Sequence, residues 1–403
     1  MIIKGKYGEA KVYASVVDET TIEQVKTLMN QKFIKDSQVR IMADCHAGKG
    51  CVIGTTITLT DCCVPSLVGV DIGCGMLTVK LGKMNIDLVK LDRFIRKKIP
   101  SDNDVRSEAL PSSVNINKLV CYDKIDNKDR IRRSLGTLGG GNHFIEIDKD
   151  DEDNLYLVVH SGSRNLGKQV CELYIQRAID DWMSKKNNAI QSLIKRYNKL
   201  NKVNKIEEGL KRLKTKYDTK DRSLLPLYGQ SFIDYIHDMK ICQEFAYENR
   251  IDIATLILEH LGLNLNDYEY FQTIHNYINM DDMILRKGSI SAYENEIVLI
   301  PINMRDGSIL AKGKSNNDYN YSAPHGAGRI LSRTKAMETV TLEQFKESMK
   351  GIYSTSVQPS TIDESPFAYK SIDDIIPNII DTVEVIKIIK PIYNYKACKS
   401  RSR

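Results

Sequence analysis

Residues 155–188 read LYLVVHSGSRNLGKQVCELYIQRAIDDWMSKKNN. The first five are bulky and apolar, as in a buried strand. A polar motif punctuated by Gly162 and Gly167 follows, and apolar residues then recur three and four apart for many turns. Strand text gives way to helix text within a dozen residues, and that switch divides the chain.

Upstream, to about residue 165, short β-branched runs are punctuated by glycine: KVYASVV, CVIGTTITLT and LVGVDIGCGMLTV. One helix intervenes at TIEQVKTLMNQKF. Residues 168–263 predict two long helices. Gly262 is a natural stop for the second, and the lysine-rich connection KVNKIEEGLKRLKTKYDTKDR lies between them. From about Asp267 strand and glycine text returns, with shorter helices near LEQFKESMK and SIDDIIPNII. Chemistry-bearing residues lie on both sides of the helices. The flanks must therefore meet in one αβ core, with 168–263 inserted between them.

The 403 residues are 42% apolar and 27% charged with a net charge of +6, which fits a soluble protein and permits a nucleic-acid partner without requiring one. No apolar run is long enough to cross a bilayer, and the first residues lack the apolar stretch of a signal peptide. The expectation is a cytoplasmic protein with no membrane partner. Nine cysteines without a disulfide rhythm fit that compartment.

Two of the seven histidines, His237 and His260, fall in helix text and need no special duty. The other five sit in MADCHAGKG, GGGNHFIEI, VVHSGSRNLG, TIHNYINM and APHGAGR, each read as following or ending a strand. Strand ends with polar side chains are where such folds place their sites. VGVDIGCGM adds Asp71 and Cys74, three apart, with glycines that let both side chains converge. A thiolate, a carboxylate and imidazoles make a mixed metal site. Ligand softness favours zinc, and more than four donors suggest two ions sharing the thiolate. Cys45, beside Asp44 and His46, is ambiguous.

GTLGGGNHFIEI (136–147) is a glycine-rich loop entering a strand, without the Walker or dinucleotide pattern. Its backbone N–H groups suit anionic oxygens, and the Glu146 carboxylate suits the paired N–H donors of guanine. His160 with Arg164, and His325 with Arg329, each set a cation near an imidazole, and Arg matches phosphate oxygens.

Taken together, DCHAGKGCVIGT, VGVDIGCGM, GTLGGGNHFIE, HSGSRNLG, HNY, PHGAGR, ESPFAYKSIDDI and IKPIYNYKA resemble, in order, the RtcB family of RNA-splicing ligases. The resemblance implies a single α+β domain over 1–403, with mixed β-sheets around a central metal and nucleotide cleft and 168–263 as a helical insertion. It implies an RNA ligase that joins 3′-phosphate or 2′,3′-cyclic phosphate ends to 5′-hydroxyl ends, in RNA repair or tRNA splicing. GTP and two Mn2+ ions, rather than zinc, are its cofactors, and an archease-like activator is a further partner.

Residue by residue, the resemblance makes His325 the histidine that carries GMP. It gives Asp71, Cys74 and His143 to one ion and Cys74, His160 and His275 to the other. Nucleotide contacts fall on Asn142, His143, Phe144, Ile145, Glu146, His275 and Asn276, then on His325, Gly326, Ala327, Gly328, Tyr369 and Lys396. One stretch departs: PINMRDGS, with Pro301, Ile302, Asn303, Met304 and Ser308 facing the nucleotide, stands where the family has a glycine-richer loop. Asn303 and Ser308 are expected to supply replacement hydrogen bonds. The small residues beside His325 are expected to leave room for the guanylyl group. The main alternative is a dinuclear-metal phosphodiesterase or phosphatase acting on RNA ends, which needs no covalent histidine. A non-catalytic RNA-binding protein with structural metals is a more distant one.

Overall fold

In the computed structural model, which describes residues 1–219 and 221–398, the strand text on either side of residue 150 becomes two antiparallel strands, Phe144–Lys149 and Leu155–Ser161. Lys220 and the last five residues of the expected 1–403 unit lie outside the described residues. The pair belongs to a seven-stranded sheet, ordered Tyr270–Ile274, Gly75–Gly82, Leu155–Ser161, Phe144–Lys149, Val383–Lys396, Gly307–Gly313, Ile297–Asn303. Every pairing in it is antiparallel. Its two edge strands also meet, because Leu299 N–H donates to Thr273 Oγ1 across 3.0 Å. The sheet is therefore curled almost into a barrel.

Alternating side chains give this barrel two apolar faces. Met76, Phe144, Val158, Leu299 and Leu310 fill the inside. Leu77, Ile145, Ile147 and Leu157 point outward, against Leu91 and Ile95 of the helix Leu88–Lys98 and Ile257 and Leu258 of the helix Gly229–His260. A second, six-stranded sheet includes Val39–His46 and Ile53–Thr58 and contains one parallel pairing, between Glu9–Val12 and Val39–His46. It packs on the helix Glu19–Met29 through Val25, Leu28 and Met29. The strand expected over KVYASVV stops at Val12. The ring of Tyr13 instead stacks on Tyr319, 3.8 Å between centroids.

The helical run begins at Arg164, four residues before its expected start, with Arg164–Lys199 and Gly229–His260 as its long members. Gly262, at φ +75°, lies just past the second. The lysine-rich connection is not a loop: it carries the helix Ile206–Lys216. Glu207 pairs with Lys211 at 3.0 Å and Glu208 with Arg212 at 2.5 Å, both one turn apart. Gly209 lets this helix approach Leu193 and Tyr197 of its predecessor, where a β-carbon would come within about 3 Å of either side chain. Charge density masked its apolar period. Among the described residues no helix is long and apolar enough to cross a membrane.

Candidate active site

One end of the barrel gathers residues from four neighbouring strands. Asp71 and Cys74 lie in the turn before Gly75–Gly82, and His160 lies near the end of Leu155–Ser161. His275 follows Tyr270–Ile274 directly. His143 precedes Phe144–Lys149 instead of ending a strand, which corrects the sequence reading. Register explains the convergence: His160 is paired with both Met76 and Phe144, and Gly75 with Ile274.

The result is two sets of donors, Asp71, Cys74 and His143, and Cys74, His160 and His275, each with its ligand atoms within 4.8 Å of one another. Cys74 Sγ lies 3.3 Å from His143 Nε2 and 3.4 Å from His160 Nε2, and His143 Nε2 is 3.0 Å from Asp71 Oδ2. His143 Nδ1 donates to the Leu138 carbonyl at 2.9 Å, which leaves Nε2 as its donor to a metal. Gly162 permits the approach of Asp71, since a β-carbon there would sit 2.2 Å from Asp71 Oδ1. Ser163 N–H then donates to that oxygen at 3.1 Å.

These residues fit metal binding on physical grounds. Burial pushes the pKa values of His160 and His275 well below the ordinary histidine value, keeping the rings neutral with free lone pairs. Nδ1 of each is buried without a hydrogen-bond partner among the described residues. Burial also pushes the Cys74 thiol well above its ordinary range, with Asp71 adding to the effect. A thiolate at that position needs cationic charge beside it.

His325 stands next to this cluster, its ring 4.6 Å from that of His275. It follows the short strand Ser322–Pro324. Its Nδ1 is 2.5 Å from Oδ2 of Asp44, and its backbone N–H donates to the same oxygen at 3.1 Å. Asp44 is fully buried on the strand Val39–His46. Facing a carboxylate, Nδ1 carries the hydrogen and Nε2 keeps its lone pair. The neighbouring glycines also have a packing reason. Gly328, at φ +76°, passes so close to Asp44 that a β-carbon would lie 2.1 Å from its carbonyl oxygen, and one on Gly326 would lie 3.1 Å from Pro301 O. Gly328 thus presses the His325 loop against the strand that bears Asp44, and Gly326 lets the loop pass Pro301 of the strand Ile297–Asn303.

A cavity of about 270 Å³ opens over both features. Asn142, Phe144, Glu146, Asn276, Tyr369 and Lys396 line it, as do Pro301, Ile302, Asn303, Met304 and the segment 325–328. Ile145 does not, because it lies on the outer face of the barrel, and Ser308 is buried away from the opening. Asn303 lines the cavity, but its amide holds its own hairpin turn. Its Nδ2 donates to Asp306 at 2.8 Å, and its Oδ1 accepts from the N–H groups of Arg305 and Asp306. Asn276 is likewise engaged, donating to Asp71 O at 3.1 Å and accepting from Gly288 N–H at 2.9 Å. Burial pushes the Glu146 carboxyl above its ordinary range, and the Asn394 amide donates to one of its oxygens.

Another part of the cavity wall turns on one buried carboxylate, Glu364. Lys396 Nζ lies 3.0 Å from it, Arg333 2.5 Å and Arg329 3.4 Å, and the Tyr369 hydroxyl donates to it at 2.6 Å. Burial alone would raise its pKa, but Lys396, Arg333, Tyr369 and Arg329 together bring it down to about 2. Arg329 also donates to the carbonyls of Leu331 and Asp363 and sits 5.1 Å over the Tyr369 ring. It braces this wall rather than standing free for a phosphate. Arg164 is similarly held, by Thr137 Oγ1 and Asp102 O.

Comparison with known proteins places this geometry. A family model described as tRNA-splicing ligase RtcB matches residues 24–121 and 117–397, nearly the whole chain. The chain belongs to the RtcB family. It is 27% identical to an RNA-splicing ligase RtcB of Escherichia coli K12, over 88% of each chain. It is 26% identical to a tRNA-splicing ligase RtcB of Methanococcus maripaludis, over 87% of this chain and 85% of the other. A tRNA-splicing ligase RtcB of Nanoarchaeum equitans is 23% identical, over 92% and 90%. Within this RtcB-family chain, sequence reasoning missed two residues that organise the site, Asp44 and Glu364. Asp44 gave a signal, since it lies in the histidine motif MADCHAGKG. Glu364 gave less, since it only opens the motif ESPFAYKSIDDI while its three cations, Arg329, Arg333 and Lys396, arrive from other segments.

Proposed function

We propose that this RtcB-family RNA ligase joins RNA 3′-phosphate or 2′,3′-cyclic phosphate ends to 5′-hydroxyl ends through GMP carried covalently on His325, with GTP as the guanylyl donor. The observation that carries this reading is the fixed imidazole: Nδ1 is tied to buried Asp44, and His325 lines the cavity beside metal-ligand candidates. A histidine held by a carboxylate through one nitrogen presents the other as a nucleophile. Nε2 attacks the α-phosphorus of GTP, forming an N–P bond as pyrophosphate leaves. The positive charge that develops on the ring is stabilised by Asp44. The RNA 3′-phosphate then takes the guanylyl group from His325, and the 5′-hydroxyl attacks that activated phosphate as GMP leaves. A cyclic phosphate is first hydrolysed to the 3′-phosphate.

Two Mn2+ ions are assigned to Asp71, Cys74 and His143, and to Cys74, His160 and His275. When bound, they supply charge neutralisation at the phosphoryl oxygens. The nucleotide is assigned to the cavity between Asn142, Phe144, Glu146, Asn276, Tyr369 and Lys396, with the Pro301–Met304 hairpin and the loop 325–328 closing over it. Residues 1–403 act as one domain around this cleft, with 168–263 inserted, on RNA in the cytoplasm. The phosphodiesterase alternative leaves the Asp44–His325 pair without a task.

The test is a ligation assay on defined RNAs carrying a 3′-phosphate and a 5′-hydroxyl, with nucleotide and metal varied separately. Product that requires both GTP and Mn2+ is expected. Loss of phosphate from the 3′ end without joining would favour the phosphatase reading instead.

A further inference from the structure

Away from this cavity, the helices Arg164–Lys199 and Ile206–Lys216 and the turn that follows them enclose a second concavity of about 340 Å³. Trp182, Lys186, Lys214, Tyr217 and Arg222 line it, and among the described residues Asp218 is the one acidic side chain in its lining. Residues 182–222 carry thirteen Lys and Arg against four Asp and Glu. That excess of nine charges is larger than the +6 of the whole chain, so the remainder is slightly acidic. The basic character of this protein is concentrated at one tip.

The aromatic pair makes the tip more than a solvated charged face. Trp182 and Tyr217 meet edge to face with centroids 5.8 Å apart. Lys186 Nζ lies 5.5 Å over the Trp182 ring, and Lys216 Nζ 5.9 Å over Tyr217. Trp182 is half-buried and packs on the hydrophobic core, which fixes its ring while one side stays accessible. A free phosphate ion would have no use for the indole, and a peptide would have little use for so large a charge excess. Cations spaced around a held aromatic ring match unpaired nucleic acid, whose phosphates alternate with stackable bases.

We infer that this concavity is a second RNA site, distinct from the ligation centre, where an unpaired base stacks on Trp182 while Lys186, Lys214 and Arg222 take neighbouring phosphates. The inference rests on the RNA-ligase reading. Trp182 is eighteen residues along its helix from Arg164, itself just past His160. At about 1.5 Å per residue that is about 27 Å, or roughly eight nucleotides at about 3.4 Å each. The tip therefore grips the body of an RNA whose end lies at the ligation centre.

Trp182 is the single tryptophan of the chain, so its emission reports on this site alone. The experiment titrates a single-stranded RNA of about 20 nucleotides into the full-length protein. It follows tryptophan emission and, in parallel, the anisotropy of the labelled RNA. The expected result is quenching that saturates with the anisotropy signal and weakens steeply with salt. The Lys186→Ala/Lys214→Ala/Arg222→Ala variant should keep the parental unfolding midpoint and lose at least fivefold in RNA affinity. Its log-affinity against log-salt slope should fall by about 2, at roughly 0.7 per lost phosphate contact. RNA binding by anisotropy with unchanged emission, and a variant within twofold of the parent, would overturn the site. Binding and quenching without any ligation would instead overturn the ligase reading and leave the site standing.

Discussion

At the mouth of the barrel Lys396, Arg333 and Arg329 crowd around the buried carboxylate of Glu364, each within 3.4 Å. At the helical tip Lys214 and Arg222, exposed, and Lys186, half-buried, surround a concavity with Asp218 as its one acidic lining residue among those described. Both regions are cationic, but they use charge differently. The first holds its cations in fixed positions through a counter-charge, at the cost of desolvating Lys396 and Arg329, while Arg333 stays half exposed. That arrangement suits chemistry, where a reacting phosphorus must be placed to a fraction of an ångström. The second leaves its cations hydrated and mobile, which suits a grip on a backbone of any sequence.

The comparison can be broken at several points, the largest effect first. Cys74→Ser removes the donor common to both metal groups, and ligation should fall below detection, with metal content by mass spectrometry falling in step. Asp44→Asn should slow GMP transfer to His325 by about 10²–10⁴-fold, a typical range for a lost proton-positioning group. GTP binding measured separately should change far less. If transfer in that variant stays within threefold of the parent, Asp44 is only a structural partner of the loop.

Glu364→Gln leaves three cations facing a neutral amide and should destabilise the fold by about 3–5 kcal/mol in denaturant titrations. The pH dependence has a definite sign. The folded pKa of Glu364, about 2, lies below the ordinary carboxylate value. Its contribution is thus present above about pH 4.5 and is lost as pH falls through about 2. The stability gap between parent and variant should narrow over that interval. The tip substitutions described above should be the mildest, a several-fold loss of RNA affinity with no loss of stability.

What could be read from the sequence follows from how local each signal is. A mixed metal site at Asp71 and Cys74 with motif histidines was legible because a cysteine, a carboxylate and glycine-flanked histidines have few other uses, and the family resemblance narrowed the histidines to His143, His160 and His275. Asp44 and Glu364 were not read, because their partners are distant in sequence. Asp44 meets His325 across 281 residues, and Lys396 is 32 residues from Glu364. Ile145 entered as part of the contiguous run 142–146, whereas the two-residue period turns its side chain to the outer face. Asn303 was misread for the opposite reason. Its side chain is drawn into the nearest turn, as asparagine at a hairpin commonly is. The helix Ile206–Lys216 hid behind its lysines, although Ile206, Leu210 and Leu213 keep helical spacing.

The central claim is that His325 carries the guanylyl group. The protein is incubated with GTP labelled at the α-phosphate and with Mn2+, then denatured, and the label remaining on the chain is counted before and after acid treatment. The account predicts an acid-labile adduct on the parent chain and none on His325→Ala. Equal labelling of His325→Ala would contradict it.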